Sequence, residues 1–216
     1  MRTKQQIIEQ LKTPGVIAVV RAKRQEQVLP LAEALIAGGI IAVEITMTTP
    51  NAIAAIREAS AKFGDRALIG VGTILKPYDC QAALDAGAQF VVCPICRTEL
   101  IPLAHTANKP IMLGSYTPTE AQIAHEAGAD FIKIFPADPL GPDYIKALRA
   151  PLPHLRIVPT GGVDLETIGA FFKAGCVAVG AGSSLISKQI LEDDDWPALT
   201  RAAVAFVNAA TAARIG

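Results

Sequence analysis

The chain has 216 residues, of which 51% are hydrophobic and 19% charged, apolar material enough for one sizeable core and within the span of a single barrel or sandwich domain. Its 20 Lys and Arg balance its 20 Asp and Glu, so no global positive field is offered to nucleic acid or to an acidic membrane surface, and a small-molecule partner is expected. The cysteines Cys80, Cys93, Cys96 and Cys176 are too few and too unevenly spaced for a disulfide framework. The polar stretch Met1 to Gln6 is not what a signal peptide needs, so export is not expected. Every apolar run is broken well short of the roughly 20 residues of a membrane span, so a soluble, cytoplasmic protein is expected.

From the N-terminus, a helical segment containing Ile7-Ile8-Glu9-Gln10-Leu11 leads into a regular alternation. Short β-branched runs bounded by Gly or Pro predict strands at Val16 to Val20, Ile41 to Ile45, Leu68 to Val71, Phe90 to Val92, Ile111 to Leu113, Phe131 to Phe135, Ile157 to Val158 and Val177 to Val179. Between them, Ala- and Leu-rich stretches of helical period predict helices over Glu26 to Ala37, Pro50 to Lys62, Pro77 to Ala86, Thr98 to Thr106, Pro118 to Ala127, Pro142 to Leu148 and Leu165 to Ala174. Ser184 to Ile190 and Trp196 to Arg214 follow. Asp193-Asp194-Asp195 suits the start of the last helix, where acidic groups meet the positive end of the dipole.

Four helices end in Ala-Gly before the next strand, at Gly38-Gly39, Gly87, Gly128 and Gly175, which is the left-handed helix stop. Eight strands buried on both faces and joined by helical crossovers close most simply into a single (β/α)8 TIM barrel over residues 1–216, with extra helices at both termini. An open doubly wound sheet is the competing architecture, but no Gly-x-Gly-x-x-Gly follows the first strand.

A barrel carries its site at the carboxyl ends of its strands. In order these ends read Arg21, Glu44, Thr73, Pro94, Ser115, Lys133, then Thr160-Gly161-Gly162, then Gly182-Ser183, all expected to face one cavity. Lys133 sits in Phe131-Ile132-Lys133-Ile134-Phe135 and Glu44 in Val43-Glu44-Ile45, charges embedded in apolar strands. Loss of water disfavours a buried ammonium and leaves an amine able to attack a carbonyl, and a nearby carboxylate can move the protons that such chemistry needs. The structural alternative is an ion pair between the two. The turns Thr160-Gly161-Gly162 and Gly180-Ala181-Gly182-Ser183, with a short helix starting at Ser184, fit a phosphate cradle of backbone N–H groups, or simply tight turns. Arg21 can clamp a carboxylate in a bidentate way and Thr73 can donate to it.

Cys93-Pro94-Ile95-Cys96 has half-site spacing for zinc, but no second Cys or His pair completes a set, and His105, His125 and His154 show no ligand spacing. No metal is expected.

These segments resemble the 2-keto-3-deoxy-6-phosphogluconate and 4-hydroxy-2-oxoglutarate aldolases. The likeness runs from about Ile7 to about Asn208. It is carried by Gly15 to Arg21, Val43-Glu44-Ile45-Thr46, Gly70-Val71-Gly72-Thr73-Ile74-Leu75, Phe131 to Ala137 and Pro159-Thr160-Gly161-Gly162-Val163. The resemblance implies a metal-free, commonly trimeric barrel in which Lys133 forms the Schiff base and Glu44 shuttles protons. Arg21 and Thr73 would hold the keto-acid carboxylate, Gly161, Gly162 and Ser183 the phosphate, and Pro94 and Phe135 would line the pocket. It further implies cleavage of the phosphogluconate acid or its galactonate epimer to pyruvate and glyceraldehyde 3-phosphate, with 4-hydroxy-2-oxoglutarate as a further substrate. Members acting on the gluconate compound commonly carry an Arg a few positions after the Glu, where this chain has Met47-Thr48-Thr49. The carboxylate clamp then falls to Arg21, and the departure resembles another branch of the family. A phosphosugar isomerase or epimerase, with Glu44 as base and no imine, is the alternative on the same fold.

Overall fold

A computed structural model describes residues 2–215. Eight strands, β1 (Val16–Val20), β2 (Ala42–Thr46), β3 (Leu68–Gly72), β4 (Val91–Cys93), β5 (Ile111–Ser115), β6 (Phe131–Ile134), β7 (Ile157–Pro159) and β8 (Val179–Ala181), form one parallel sheet in the order 7-6-5-4-3-2-1-8. An isolated bridge between Thr160 and Gly180 joins the two edges and nearly closes the barrel. Among the described residues ten α-helices accompany the strands: α1 (Lys4–Lys12), α2 (Val28–Ala37), α3 (Ala52–Phe63), α4 (Pro77–Asp85), α5 (Ile101–Thr106), α6 (Pro118–Glu126), α7 (Gly141–Arg149), α8 (Ile168–Lys173), α9 (Lys188–Asp193) and α10 (Trp196–Ile215). The expected (β/α)8 architecture with additional helices at both ends is therefore the one observed. Among the described residues, no helix is long and apolar enough to cross a membrane.

Side chains on a strand alternate between two faces, and here both faces are buried. The outward set, including Val16, Val43, Ile69, Val91, Ile132 and Val179, packs under the helices. The inward set, Ile17, Ala42, Leu68, Phe90, Met112, Phe131, Val158 and Ala178, fills the barrel. Helix α1 begins at a capping box in which the Thr3 hydroxyl accepts from the Gln6 backbone and the Gln6 side chain accepts from the Thr3 N–H. It lays Ile7, Ile8 and Leu11 against the inward set and seals the amino end of the barrel, each side chain contributing about 1.5–3 kcal/mol of burial.

Gly39, Gly87, Gly128 and Gly175 all have positive φ just after their helices, as the Ala-Gly pattern predicts. Gly38 has a different role. A Cβ there would stand 2.4 Å from the Ala203 Cβ, so its absence lets α10 lie directly on α2, where the Thr200 hydroxyl donates to the Ala34 carbonyl at 3.1 Å. Asp195 receives the Ala198 N–H at 2.9 Å at the start of α10, the helix-start role expected of the acidic run.

Candidate active site

Strand alternation decides which strand-end residues can meet. Glu44 shares the parity of Ala42, and Lys133 that of Phe131, both in the barrel interior. Glu44 pairs in register with Val19 and Gly70, Lys133 with Gly114 and Val158. The glycines among these partners let neighbours close in: a Cβ on Gly70 would stand 2.4 Å from the Phe90 ring, and one on Gly114 would stand 2.0 Å from the Pro94 backbone. Next to Glu44, a Cβ on Gly72 would stand 1.9 Å from the Glu44 Oε1, so the carboxylate occupies the volume that any larger residue at 72 would take. Ser115 is one exception to the expected single cavity: it has the parity of Ile111 and Leu113, which belong to the outer layer, and its buried hydroxyl has no partner there.

Glu44 is 2% exposed and Lys133 3%. Neither forms an ion pair with the other or with any further charged side chain among the described residues. Glu44 Oε1 is buried without a hydrogen-bond partner. The structural ion pair that the sequence left open is therefore not made. The Lys133 Nζ instead lies 5.0 Å from the centroid of the Phe135 ring, one residue beyond the strand. The Cys93 thiol, on β4 in the outer layer, is pushed up by burial, against the opposing influence of the Ile95 backbone, Arg97 and Lys133.

Phe135 also lines a pocket of about 170 Å³, together with Arg21, Thr160, Gly161, Gly162 and Ser183. Gly182 is a further lining residue. The two glycine turns expected to cradle an anion are thus brought to one cavity. Gly161 and Gly162 have φ of 94° and 68°, and a Cβ on Gly162 would come 2.6 Å from the Asp138 Cα, so both backbone conformation and space demand glycine there.

The short helix expected at Ser184 is absent: Leu185 and Ile186 both donate to the Gly182 carbonyl, at 3.0 and 2.8 Å, in a turn. Helix α9 starts only at Lys188, where the Ser187 hydroxyl accepts from the Ile190 N–H. The Ser184 hydroxyl donates to the Val163 carbonyl, tying the β8 turn to the β7 turn.

Arg21 is exposed and lies with the glycine turns. A Cβ on Gly182 would be 3.9 Å from its Nη1, and the guanidinium donates no hydrogen bond to any described residue. Thr73 does not line this pocket; it is half-buried and holds a φ of 60°, a left-handed conformation that is strained for a β-branched residue. Pro94 is half-buried with its carbonyl packed against Gly114.

Val19, Val163 and Asp164 were not anticipated as lining residues. Gly180, within the expected second turn, faces Thr160 across the closing bridge. Asp164 also lines the pocket; its carboxylate accepts from the Glu166 and Thr167 N–H groups and the Thr167 hydroxyl. Those bonds, the Thr167 N–H foremost, hold it below the usual carboxylate range. The Asp-x-x-Thr spacing is the signal for such a cap.

Among the described residues no three His, Cys, Asp or Glu side chains converge as metal ligands. His105 instead meets the Asp130 carboxylate at 2.9 Å and Lys4 at 3.2 Å, and His125 stacks on His154 with ring centroids 4.6 Å apart. A larger groove of about 550 Å³, lined by Arg2, Gln5, Glu9 and Asp65 among others, runs along the polar side of α1 and includes none of the strand-end residues.

The family model described as "Aldolase: KDPG and KHG aldolase" matches residues 7–202, KDPG standing for 2-keto-3-deoxy-6-phosphogluconate. The chain is 40% identical over 177 residues to the 2-dehydro-3-deoxy-6-phosphogalactonate aldolase of Escherichia coli K12, covering 82% of this chain and 86% of that protein. It is 35% identical to the 2-dehydro-3-deoxy-phosphogluconate aldolase of Pseudomonas aeruginosa, covering 86% and 84%. Among solved structures it resembles the KDPG aldolase of Legionella pneumophila with pyruvate captured as a covalent carbinolamine, at a TM-score of 0.80 and 31% identity over 88% of this chain and 93% of that one. A match of this extent, on a barrel whose interior holds an unpaired lysine and carboxylate, shows that the chain belongs to the KDPG and KHG aldolase family.

Proposed function

We propose that this protein is a Schiff-base aldolase that cleaves a phosphorylated 2-keto-3-deoxy sugar acid to pyruvate and glyceraldehyde 3-phosphate, with Lys133 as the nucleophile. The observation that carries the reading is the buried, ion-pair-free Lys133, which meets through Phe135 a pocket made by two glycine turns. The covalent carbinolamine of the Legionella enzyme supports the same chemistry.

The Lys133 amine adds to the C2 ketone, and loss of water, with Glu44 supplying and taking the protons, leaves an iminium ion. The C3–C4 bond then breaks. Its electron pair moves toward the iminium nitrogen to give an enamine, while the C4 hydroxyl loses its proton to Glu44 or to a water it holds, and the aldehyde departs. Protonation at C3 and hydrolysis of the imine release pyruvate and restore the amine.

Gly161, Gly162, Gly182 and Ser183 bind the phosphate through N–H and hydroxyl donors. Arg21, expected with Thr73 at the keto-acid carboxylate, lies with those turns and is assigned here to the phosphate end, which leaves Thr73 for the carboxylate; Pro94, Phe135 and Thr160 line the path between. The identity to the phosphogalactonate enzyme, with Met47-Thr48-Thr49 where an Arg is common, favours the galactonate epimer as the better substrate. 4-Hydroxy-2-oxoglutarate is a further candidate, and a homotrimer in the cytoplasm is the assembly and place we assign.

Incubation with pyruvate and borohydride, followed by intact-mass measurement, tests the mechanism. The parent gains one pyruvyl adduct and Lys133→Ala gains none. A folded parent without adduct removes the imine and leaves an isomerase with Glu44 as base. Parallel assays on the two epimers decide the substrate.

A further inference from the structure

The glycine-lined pocket continues past Arg21 into a second lobe of about 230 Å³, which shares Arg21, Gly182 and Ser183 with it and adds Lys23 and Lys188 at its rim. The residues lining this lobe include three cations and no carboxylate. The two lysines come from distant parts of the chain, one just after β1 and one at the start of α9. Both reach the same group: their Nζ atoms lie 2.9 and 3.6 Å from the Glu192 Oε1. One carboxylate cannot neutralise two ammonium ions, and the neighbouring Arg21 has no carboxylate partner among the described residues. A net positive rim therefore faces the pocket, half-exposed at Lys23 and more so at Lys188.

We infer that Lys23 and Lys188 are specificity-determining residues that select the phosphorylated substrate by acting on its dianion across the second lobe, while Glu192 holds both at the rim and moderates their field. The inference rests on the aldolase reading above and deepens it. A phosphate dianion gains twice the Coulomb energy of a monoanion from each lysine, and a neutral aldehyde gains none. Across a separation of roughly 8 Å in a water-like medium, this amounts to about two- to fivefold in kcat/KM per lysine once partial screening is included. The effect belongs to KM and is sensitive to salt, because the screening length shrinks from about 30 Å at 0.01 M to about 3 Å at 1 M.

The test uses the synthetic direction, pyruvate with glyceraldehyde 3-phosphate against pyruvate with glyceraldehyde, on the parent, Lys23→Gln, Lys188→Gln, the double variant and Glu192→Gln. The ratio of kcat/KM for the phosphorylated over the unphosphorylated aldehyde falls about two- to fivefold in each lysine variant at low salt, falls further in the double variant and rises in Glu192→Gln. The differences vanish at 1 M salt, and the rate with glyceraldehyde stays at the parent value throughout. An unchanged ratio in the double variant, an equal loss with both aldehydes, or no rise in Glu192→Gln overturns the inference. A parent that condenses neither aldehyde and takes no pyruvate adduct overturns the aldolase reading itself, a result distinct from all of these.

Discussion

Gly72 offers a way to move the Glu44 carboxylate without changing Glu44. A methyl group at position 72 would fall 1.9 Å from Oε1, 2.5 Å from Cδ and 2.6 Å from Cγ, whereas ordinary contact begins near 3.4 Å. The backbone there does not require glycine, since Gly72 is absent from the positive-φ residues, so Gly72→Ala acts through the clash alone. The carboxylate has to withdraw by about 1.5 Å. A misplacement of about 1 Å in a catalytic constellation lowers turnover roughly 100-fold, and loss of a general acid–base altogether about 10²- to 10⁴-fold. The expected kcat is therefore down by about 100-fold. Overpacking by one methyl destabilises by about 1–3 kcal/mol, and at about 2–4 °C per kcal/mol for a chain of this size the unfolding midpoint drops by several degrees while the fold survives. Steady-state kinetics of cleavage, thermal unfolding followed by circular dichroism, and borohydride trapping on the same preparation provide the readouts. A Gly72→Ala protein that turns over within twofold of the parent would refute both the position of the carboxylate and its role.

Gly162→Ala combines a φ of 68° with a Cβ 2.6 Å from the Asp138 Cα, so the β7 turn shifts; KM for the phosphorylated substrate is expected to rise at least about tenfold, with one charge-assisted hydrogen bond at stake, and a smaller effect with the unphosphorylated aldehyde checks the assignment. Thiol titration of the native protein at pH 8 should find far fewer than the four cysteines present. Burial pushes Cys176 up to about 12 and Cys80 to about 11, and it raises Cys93 and Cys96 as well, so full reaction is expected only in denaturant.

Acid should loosen the α6 cap and the β7 turn. The Tyr116 N–H, with the Thr117 hydroxyl and N–H, holds Glu120 below the usual 4.5, and the Thr167 N–H does the same for Asp164. For a depressed carboxylate the stabilisation is present above the unfolded-state value and is lost as pH falls through the folded one. Urea midpoints should therefore decline below about pH 4.5, and less steeply in Glu120→Gln.

The parts of this protein that were legible in its sequence are those where local chemistry and tertiary demand agree. Val16 to Val20 reads as a strand and is one, because a β-branched run bounded by Gly15 and Arg21 has no competing conformation. Lys133 and Glu44 stood out because an apolar strand gives a charge no local reason to be there. The eighth strand was read two residues early, at Val177 to Val179; the observed Val179–Ala181 contains a Gly and an Ala, poor strand formers by propensity, and its extent is set by pairing with β1, Val16 to Val179 and Ala18 to Ala181. The Ser184 helix is not formed either, and that serine makes a long-range bond to Val163 instead. The position of Arg21 beside Gly182 also depended on a turn that no local pattern encodes.

The packed inward set and, behind it, Ile7, Ile8 and Leu11 of α1 form a stopper that leaves the barrel a well with one mouth, at the carboxyl ends of its strands. Traffic in such a well is sequential. In the mechanism proposed above, the departing aldehyde, with its phosphate toward the rim, would stand between solvent and a pyruvyl group on Lys133. Water to hydrolyse that group arrives by the same route, so it enters only after the aldehyde has gone. In the synthetic direction the order reverses, with pyruvate first and aldehyde second. An ordered kinetic pattern, with pyruvate always the inner ligand, is thus a property of the stopper as much as of the chemistry.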